Sequence, residues 1–272
     1  MESVKSFLKH HTKKNHTIKK CESCGGELEH YDLYIQGELK AKVRDDICFT
    51  CRRKKEDEEF KEKAIRFREE AKINHFNSFS VKPLELSGVT FDDYQANNAS
   101  QELALEKSLK FADENLDKTT LFFQGDTGLG KTHLSYCIHN HFIKNNKTSI
   151  FIDLPSLLSE IRNTYRDSND YRRRTQDDIM KAIGNCELLV LDDIGAEYVK
   201  PDSNGYESWA ADILFQISNS RLGKKNIYTT NFSSKDLNRK YGMMSKRIIS
   251  RLMSNAQVLK MEGKDHRLKG LK

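Results

Sequence analysis

A glycine-rich stretch in the middle of the chain has the residue types and spacing of a phosphate-binding loop. In order, its residues are Gly125, Asp126, Thr127, Gly128, Leu129, Gly130, Lys131, Thr132 and His133. An apolar run at 121–123 precedes the loop and a helix-like segment follows it, which is the context that such a loop needs. The glycines allow successive backbone N–H groups to point at one anion. Lys131 would reach the β- and γ-phosphates, and the Thr132 hydroxyl would hold Mg²⁺. The stretch predicts a nucleoside triphosphate site, with a chance glycine-rich turn as the alternative.

Two adjacent carboxylates end a second apolar run, at 188–191. Asp192, at the end of a buried strand, suits the acceptor that helps to hold Mg²⁺ beside Thr132. Asp193 can polarise the water that attacks the γ-phosphate. An ordinary strand end is the alternative interpretation of this pair.

A further strand candidate at 148–152 lies between these two motifs in the sequence. An added strand is typical of the P-loop class that includes the AAA+ and RecA-like ATPases. Proteins that bind guanine use the pattern Asn-Lys-x-Asp, and the nearest match here, residues 146–149, has no aspartate at its end. ATP is therefore the predicted nucleotide.

Polar and basic residues after the next strand candidate, 226–230, can complete the site. Asn231 follows that strand directly and could orient water, in the position that AAA+ enzymes call sensor 1. Arg247 and Arg251 are one helical turn apart and share a helix face. Either could be an arginine finger that completes a neighbouring subunit's site, and a solvated basic face is the alternative. Arg267 could contact the γ-phosphate from within the same domain, because too few residues follow the last strand to form a helical lid.

Four cysteines near the N-terminus have the spacing of a zinc site. They form two C-x₂-C pairs, Cys21 with Cys24 and Cys48 with Cys51. Four thiolates in tetrahedral array suit Zn²⁺, and disulfides or unpaired thiols are the alternatives. The first twenty residues carry six lysines and no apolar run, so we expect no signal peptide and a reducing, cytoplasmic location. Alternation over 31–43 predicts a hairpin and thus a zinc ribbon.

The sequence divides into three predicted regions: a zinc-binding domain at 1–55, a linker helix and hinge at 56–87, and an ATPase domain at 88–272. Charged residues with an apolar repeat at helical spacing predict the helix. No apolar run is long enough to cross a membrane, so we expect no membrane partner.

A cluster of arginines lies between the second strand candidate and the carboxylate pair. Its members are Arg162, Arg166, Arg172, Arg173 and Arg174, with Tyr165 and Tyr171 between them. Arginine and tyrosine together can follow the phosphates and stack on the bases of single-stranded DNA. A charged, solvated helix is an equally weighted alternative.

Taken together, these motifs resemble those of the DnaC/DnaI-type replicative helicase loaders, and the IstB-like transposition ATPases share much of the pattern. The resemblance rests on 90–94, 125–132, 189–197, 229–231, Arg247, Arg251 and Arg267. It implies an α/β additional-strand AAA+ domain of three layers, with a parallel sheet and no C-terminal lid. AAA+ enzymes usually have glutamate at position 193, so the shorter aspartate leaves Glu197 as a second candidate for the water-activating base.

The resemblance also implies a function. Such loaders hydrolyse ATP to ADP and phosphate, here weakly as a monomer, self-associate through the ATPase domain, and place a DnaB-type helicase hexamer on single-stranded DNA. The corresponding insertion of the loaders faces the central channel. Loaders similar to DnaI carry an N-terminal zinc domain that engages the helicase, whereas IstB-like proteins generally do not, which favours the loader. A transposition ATPase and a helicase-binding adaptor with little turnover remain the alternatives.

Overall fold

A computed structural model gives the fold, and it describes residues 11–44, 46–165, 174–198 and 209–266. Contacts divide the chain into two compact units, Met1–Arg68 and Glu69–Lys272. The finer division into zinc domain, linker and ATPase domain remains a prediction. Four predicted site residues lie outside the described part of the chain, namely Arg166, Arg172, Arg173 and Arg267.

The N-terminal unit contains a three-stranded antiparallel sheet with the strand order β1-β2-β3. The strands are β1 (His11–Lys20), β2 (Glu27–Ile35) and β3 (Glu38–Arg44). The predicted hairpin is confirmed as β2 and β3, whereas the sequence analysis did not predict β1. Buried apolar side chains in the described part of this unit are limited to Cys21, Leu28 and Cys48. This unit therefore has a very small apolar core.

A long helix, α1 (Phe49–Asn77), follows, which confirms the predicted helix in this part of the chain. Only Ile73 on this helix is buried, and Phe60 and Phe67 are exposed, so the helix is largely solvated. No helix in the described residues is both long enough and apolar enough to span a bilayer.

The second unit alternates helices and strands. In chain order they are α2 (Ala99–Ala112), β4 (Thr120–Gln124), α3 (Lys131–Lys144), β5 (Ser149–Asp153), α4 (Leu154–Thr164), α5 (Gln176–Asn185), β6 (Leu188–Asp192), α6 (Trp209–Ser220), β7 (Lys225–Thr230), α7 (Ser234–Tyr241), α8 (Ser245–Leu252) and β8 (Ala256–Lys260). Short 3₁₀ turns cover Leu84–Leu86, Phe91–Asp93 and Gly242–Met244.

The five strands of this unit form one parallel sheet with the order β5-β6-β7-β4-β8. This order confirms the predicted α/β additional-strand architecture. In the sheet, β7 lies between β4 and β6, although in the sequence it follows both the phosphate-binding loop and the Asp192–Asp193 pair. Strand β5, which lies between these two motifs in the sequence, is an edge strand of the sheet. As a result, the residues after β4, β6 and β7 meet at the carboxyl edge of the sheet.

Helices cover both faces of the sheet and give the predicted three layers. Successive residues of a strand point to opposite faces, so Phe122 belongs to one apolar core and Leu121 and Phe123 to the other. Residues of α4 to α8 pack in the first core, and residues of α2 and α3 pack in the second. These two cores hold the carboxyl edge of the sheet in place.

Most helix starts in this unit carry a capping side chain. Asn98, Asp153, Thr175 and Ser233 each accept a hydrogen bond from a backbone N–H of the first turn that follows. Helix α3 differs, because its N-cap is Gly130, which has no side chain to offer. Its first N–H groups are thus left to bind an anion, as a phosphate-binding helix requires.

Candidate nucleotide site and cysteine cluster

The glycine-rich loop connects β4 to α3 and is packed tightly where its glycines lie. Gly128 and Gly130 have φ values of +72° and +87°, in the left-handed region that favours glycine. A Cβ atom on Gly130 would lie 2.4 Å from Cε2 of Tyr94, and one on Gly128 would lie 1.6 Å from Oδ1 of Asp265. A side chain at Gly130 would overlap the ring of Tyr94, and one at Gly128 would require Asp265 to move; the positive φ values also favour glycine at both positions.

Lys131 and Thr132 lie at the first turn of α3 and point toward the loop and toward β6. Lys131 is 4% exposed, and its Nζ donates to the carbonyl oxygens of Gly125 at 2.9 Å and Asp126 at 2.6 Å. The Thr132 hydroxyl donates to Oδ2 of Asp192 at 2.9 Å. The structure therefore brings together the two residues that the sequence analysis predicted as Mg²⁺ ligands.

Thr229, near the end of β7, is a site residue that the sequence analysis did not single out. Its hydroxyl donates to Oδ1 of Asp192 and accepts from the backbone N–H of Asp193 at 2.9 Å. Asp192 thus accepts hydrogen bonds from both Thr132 and Thr229. The pairing between β6 and β7 brings Thr229 to this place, because Leu191 pairs with Tyr228.

The carboxyl group of Asp192 is buried, with 4% of the residue exposed. This burial, with repulsion from Asp193, raises the pKa of Asp192 to about 6, although hydrogen bonds from Thr229 and Thr132 and the charge of Lys131 act in the opposite direction. A buried carboxylate is costly without a cation. The site thus favours a divalent ion beside Asp192 and Thr132.

Asp193 and Asn231 line the same cavity of about 310 Å³ as the phosphate-binding loop. Asp193 adopts φ +54°, an uncommon conformation for a residue with a side chain. Oδ1 of Asn231 is buried and has no hydrogen-bond partner within the described residues. The cavity lining also includes Leu86, Tyr94, Gln95, Thr127 to His133 and His266. Its lining combines hydrogen-bonding groups with apolar groups, as a nucleotide needs.

Glu197 does not line this cavity. It is buried, its Oε2 accepts from the backbone N–H of Gly195 at 2.9 Å, and its Oε1 lies 3.7 Å from Nζ of Lys240. Lys240 also donates to the carbonyl oxygens of Gly195 and Glu197. These contacts join Glu197 and Gly195, both in the loop that follows β6, to Lys240 on α7.

The segment after β8 lies across the phosphate-binding loop. The backbone N–H of His266 donates to the Gly128 carbonyl at 3.0 Å, and the ring Nε2 of His266 lies 2.7 Å from Nδ2 of Asn97. Nδ2 of Asn98 donates to the Glu262 carbonyl at 2.8 Å. The start of α2 therefore holds the segment that leads to Arg267.

Arg247 and Arg251 lie on α8, which confirms the predicted helix, and they differ in their surroundings. Arg247 is exposed. Arg251 is half-buried, its Nε donates to Oδ1 of Asn219 at 3.0 Å, and its guanidinium lies 4.8 Å from the Phe215 ring centroid. Arg251 thus has partners within its own chain.

Two of the predicted DNA-binding arginines are in the described residues, and both have contacts within the unit. Arg174 donates to the carbonyl and hydroxyl oxygens of Ser78 at 2.8 and 2.6 Å and lies 4.0 Å from the Phe79 ring centroid. Arg162 lies 5.2 Å from the Trp209 ring centroid. Arg174 therefore holds the segment after α1, and a DNA-binding role for these arginines remains a prediction.

The four predicted zinc ligands lie together in the N-terminal unit. The Sγ atoms of Cys21, Cys24, Cys48 and Cys51 are all within 4.8 Å of one another. Tetrahedral Zn²⁺ with Zn–S bonds of about 2.3 Å requires S···S distances of about 3.8 Å, so the cluster fits the ion. Backbone N–H groups, that of Cys48 first, lower the pKa of Cys21 to about 6, whereas the sulfur of Cys24, with that of Cys48, raises the pKa of Cys51 to about 12. Four thiols this close can ionise together only around a cation.

Comparisons with known proteins agree with this geometry. A family model described as "IstB-like ATP binding protein" matches residues 57–272. The replicative helicase loader DnaC of Escherichia coli K12 is 27% identical over 123 residues, which are 45% of this chain and 48% of that protein. The DnaC of Buchnera aphidicola subsp. Acyrthosiphon pisum is 26% identical over 180 residues, 65% of this chain and 69% of that protein.

The chain spans about half the length of the first curated relatives that it matches. A crystal structure of DnaI has the same fold, with a TM-score of 0.56 and 22% identity over 71% of this chain and 99% of that chain. The resemblance and the fold class predicted from the motifs are thus confirmed. The IstB-like family model matches residues 57–272, which are most of the chain, so this protein belongs to the IstB-like ATP-binding protein family.

Proposed function

We propose that this protein is an ATP-dependent loader that binds a DnaB-type helicase hexamer and places it on single-stranded DNA. The similarity to proteins named as replicative helicase loaders supports the loader role. The ATPase role rests on one observation, the hydrogen bonds that join Thr132 and Thr229 to the buried Asp192 beside the cavity.

Four residues at or beside the cavity have proposed roles in hydrolysis. Lys131 would exchange its carbonyl partners for the β- and γ-phosphate oxygens. Thr132 and Asp192 would hold Mg²⁺, which would neutralise charge on the phosphates. Asn231 would orient the attacking water through its buried, unbonded oxygen.

Asp193 is the better candidate for the group that activates this water. It lines the cavity, whereas Glu197 does not and instead contacts the Gly195 N–H and Lys240. The left-handed conformation of Asp193 also suits a functional role, because strained backbone tends to occur at active sites.

Assembly would complete the site. We assign Arg251 as the finger that reaches a neighbouring subunit, with Arg247 as the alternative, and Arg267 as the contact from the same chain. A guanidinium suits this task because it stays charged and grips phosphate oxygens with two N–H groups. Arg251 would have to leave Asn219 to act in this way. A lone chain should therefore hydrolyse ATP slowly.

The remaining partners complete the proposal. Cys21, Cys24, Cys48 and Cys51 would hold Zn²⁺, and residues 1–55 would dock on the helicase. The arginines of the predicted insertion, from Arg162 to Arg174, would contact single-stranded DNA.

A loading assay tests the proposal directly. The full chain, a candidate replicative helicase and circular single-stranded DNA coated with single-strand-binding protein are mixed, and helicase retained on the circle is measured with and without ATP. We expect retention with the wild-type chain, and loss of retention with the Lys131→Ala variant. Failure of the chain to bind or load any hexameric helicase of its host would refute the proposal.

A transposition-type ATPase is the second candidate, because the matching family model is the IstB-like one. That function requires filaments on duplex DNA rather than binding to single strands. Electron microscopy of the chain with ATP and each form of DNA separates the two candidates. A helicase-binding adaptor is the third candidate, and it predicts helicase capture without measurable ATP turnover.

A further inference from the structure

The three-stranded sheet of the N-terminal unit has one face with an excess of positive charge and one face on which positive and negative side chains balance. Residues that pair directly across antiparallel strands project from the same face, so the register determines the face of each side chain. Lys14 on β1 and Lys42 on β3 both pair with Asp32 on β2. Arg44 pairs with His30 and thus lies on this face too. We call this surface the basic face, and its residues used below are Lys14, Lys19, Asp32, Tyr34, Lys42 and Arg44.

The carboxylate on the basic face is already matched by a cation. Asp32 is 5% exposed and accepts hydrogen bonds from Nδ2 of Asn15 and from the Arg44 guanidinium, each at 2.6 Å. These hydrogen bonds, that from Asn15 first, lower the pKa of Asp32. In the part of the chain that the structure describes, no carboxylate forms an ion pair with Lys14, Lys19 or Lys42. Three exposed lysines therefore give this face its positive charge.

The opposite face carries the glutamates of the sheet. Glu29 projects there, and its Oε2 lies 2.7 Å from Nζ of Lys13. Lys20 pairs directly with Glu27 in the strand register. Lys40, in the irregular step of β3, forms an ion pair with Glu38 at 2.7 Å. These lysines are thus balanced by carboxylates, in contrast to those of the basic face.

An aromatic ring lies beside one lysine of the basic face. Nζ of Lys14 lies 4.8 Å from the ring centroid of Tyr34, and the tyrosine is half-exposed. Unpaired cations beside an accessible ring are the combination that binds phosphates and stacks bases in proteins that bind single strands. We propose that the basic face binds single-stranded nucleic acid, with lysines on the phosphates and Tyr34 on a base. This is a second nucleic-acid surface, apart from the arginines of the ATPase unit.

Two triple variants with the same change in net charge test this proposal. Lys14, Lys19 and Lys42 are replaced by glutamine in one full-length chain, and Lys13, Lys20 and Lys40 in the other. All six side chains are exposed. The affinity for a labelled oligothymidylate is measured by fluorescence anisotropy over a range of salt concentrations.

We expect the slope of log K against log salt to fall by about 2 in the basic-face variant, because each lost phosphate contact on a single strand removes about 0.7. The opposite-face variant should keep the wild-type slope. Equal slopes in the two variants would overturn the proposal, since net charge alone would then explain binding. So would a basic-face variant that loses helicase binding while its slope is unchanged, because the surface would then bind an acidic protein.

A single variant tests the role of the ring. Tyr34→Leu should lower the affinity for single strands at least about fivefold while it leaves the salt slope unchanged. Equal affinity of the wild-type chain for duplex and single-stranded DNA would overturn the choice of ligand. The same titrations in an Arg172→Ala/Arg173→Ala background, which keeps the contacts of Arg174 with Ser78 and Phe79, separate the two surfaces. If the arginines do not bind DNA, the part of the salt slope that depends on the three lysines should be the same in this background.

Discussion

Replacing Asp192 by asparagine should stabilise the nucleotide-free protein even though it impairs Mg²⁺-dependent hydrolysis. The pKa of this carboxyl group is about 6 in the folded state, against a usual value of 3.8. The folded protein therefore holds the proton more tightly than the unfolded chain, and stability is lost as the pH rises from about 4 to about 6. A shift of about 2 pKa units corresponds to ~3 kcal/mol of unfolding free energy at pH 7.

Asparagine removes this cost because it has the same shape and no charge. Its amide can accept from one of the hydroxyls of Thr132 and Thr229 and donate to the other, so both contacts can persist. We expect the variant to gain up to ~3 kcal/mol at pH 7 and about half of that at pH 5, where the wild-type carboxyl group is largely protonated.

Thermal denaturation without nucleotide at the two pH values measures this effect. For a unit of this size, ~3 kcal/mol corresponds to an increase in Tm of about 6–12 °C at pH 7. Asp193→Asn is the comparison variant, because it removes the repulsion that Asp193 exerts on Asp192 but leaves the Asp192 carboxyl group buried, so it should stabilise the protein by less than Asp192→Asn does. An Asp192→Asn variant that is less stable than the wild type, or equally stabilised at both pH values, would refute the reasoning.

Three further predictions concern ATP, zinc and assembly. Lys131→Ala should weaken ATP binding at least about tenfold in a fluorescent-nucleotide titration, because two or more charge-assisted hydrogen bonds are lost; unchanged affinity would contradict the loop's assignment. Elemental analysis should find one zinc per chain, which the Cys21→Ser/Cys24→Ser variant loses together with helicase capture but not ATP binding. ATP turnover per chain should rise with protein concentration. The Arg251→Ala variant should lose that rise while it binds nucleotide nearly as well as the wild type. A turnover rate independent of concentration argues against a site shared between subunits.

The sequence predicted those parts of the site that lie within single motifs. The phosphate-binding loop, Asp192, Asn231 and the cysteine pairs each depend on residues close together in the chain, and the structure places each group as a unit. Such local patterns need no knowledge of which strands become neighbours.

Residues whose position depends on the tertiary structure were harder to predict. Thr229 reaches Asp192 only because β7 lies next to β6, an order that the sequence does not reveal. Tyr94, distant from the loop in sequence, donates its hydroxyl to the Leu129 carbonyl at 3.1 Å and covers Gly130. Local composition likewise gave no sign that Arg174 contacts Ser78 and Phe79, which are distant from it in the sequence.

The candidate site contains several groups whose energetic cost bound Mg²⁺ and nucleotide would offset. Asp192 is a buried carboxylate, Asn231 has a buried oxygen with no partner in the described residues, and Asp193 has a strained backbone. Mg²⁺ beside Asp192 would compensate its charge, and this compensation is largest above pH 6, where the carboxylate is ionised. We therefore expect Mg²⁺ with ATP to raise the Tm of the wild-type chain more at pH 7 than at pH 5. In the Asp192→Asn variant, Mg²⁺ has no such charge to compensate, so its contribution to the rise in Tm should be smaller and less dependent on pH.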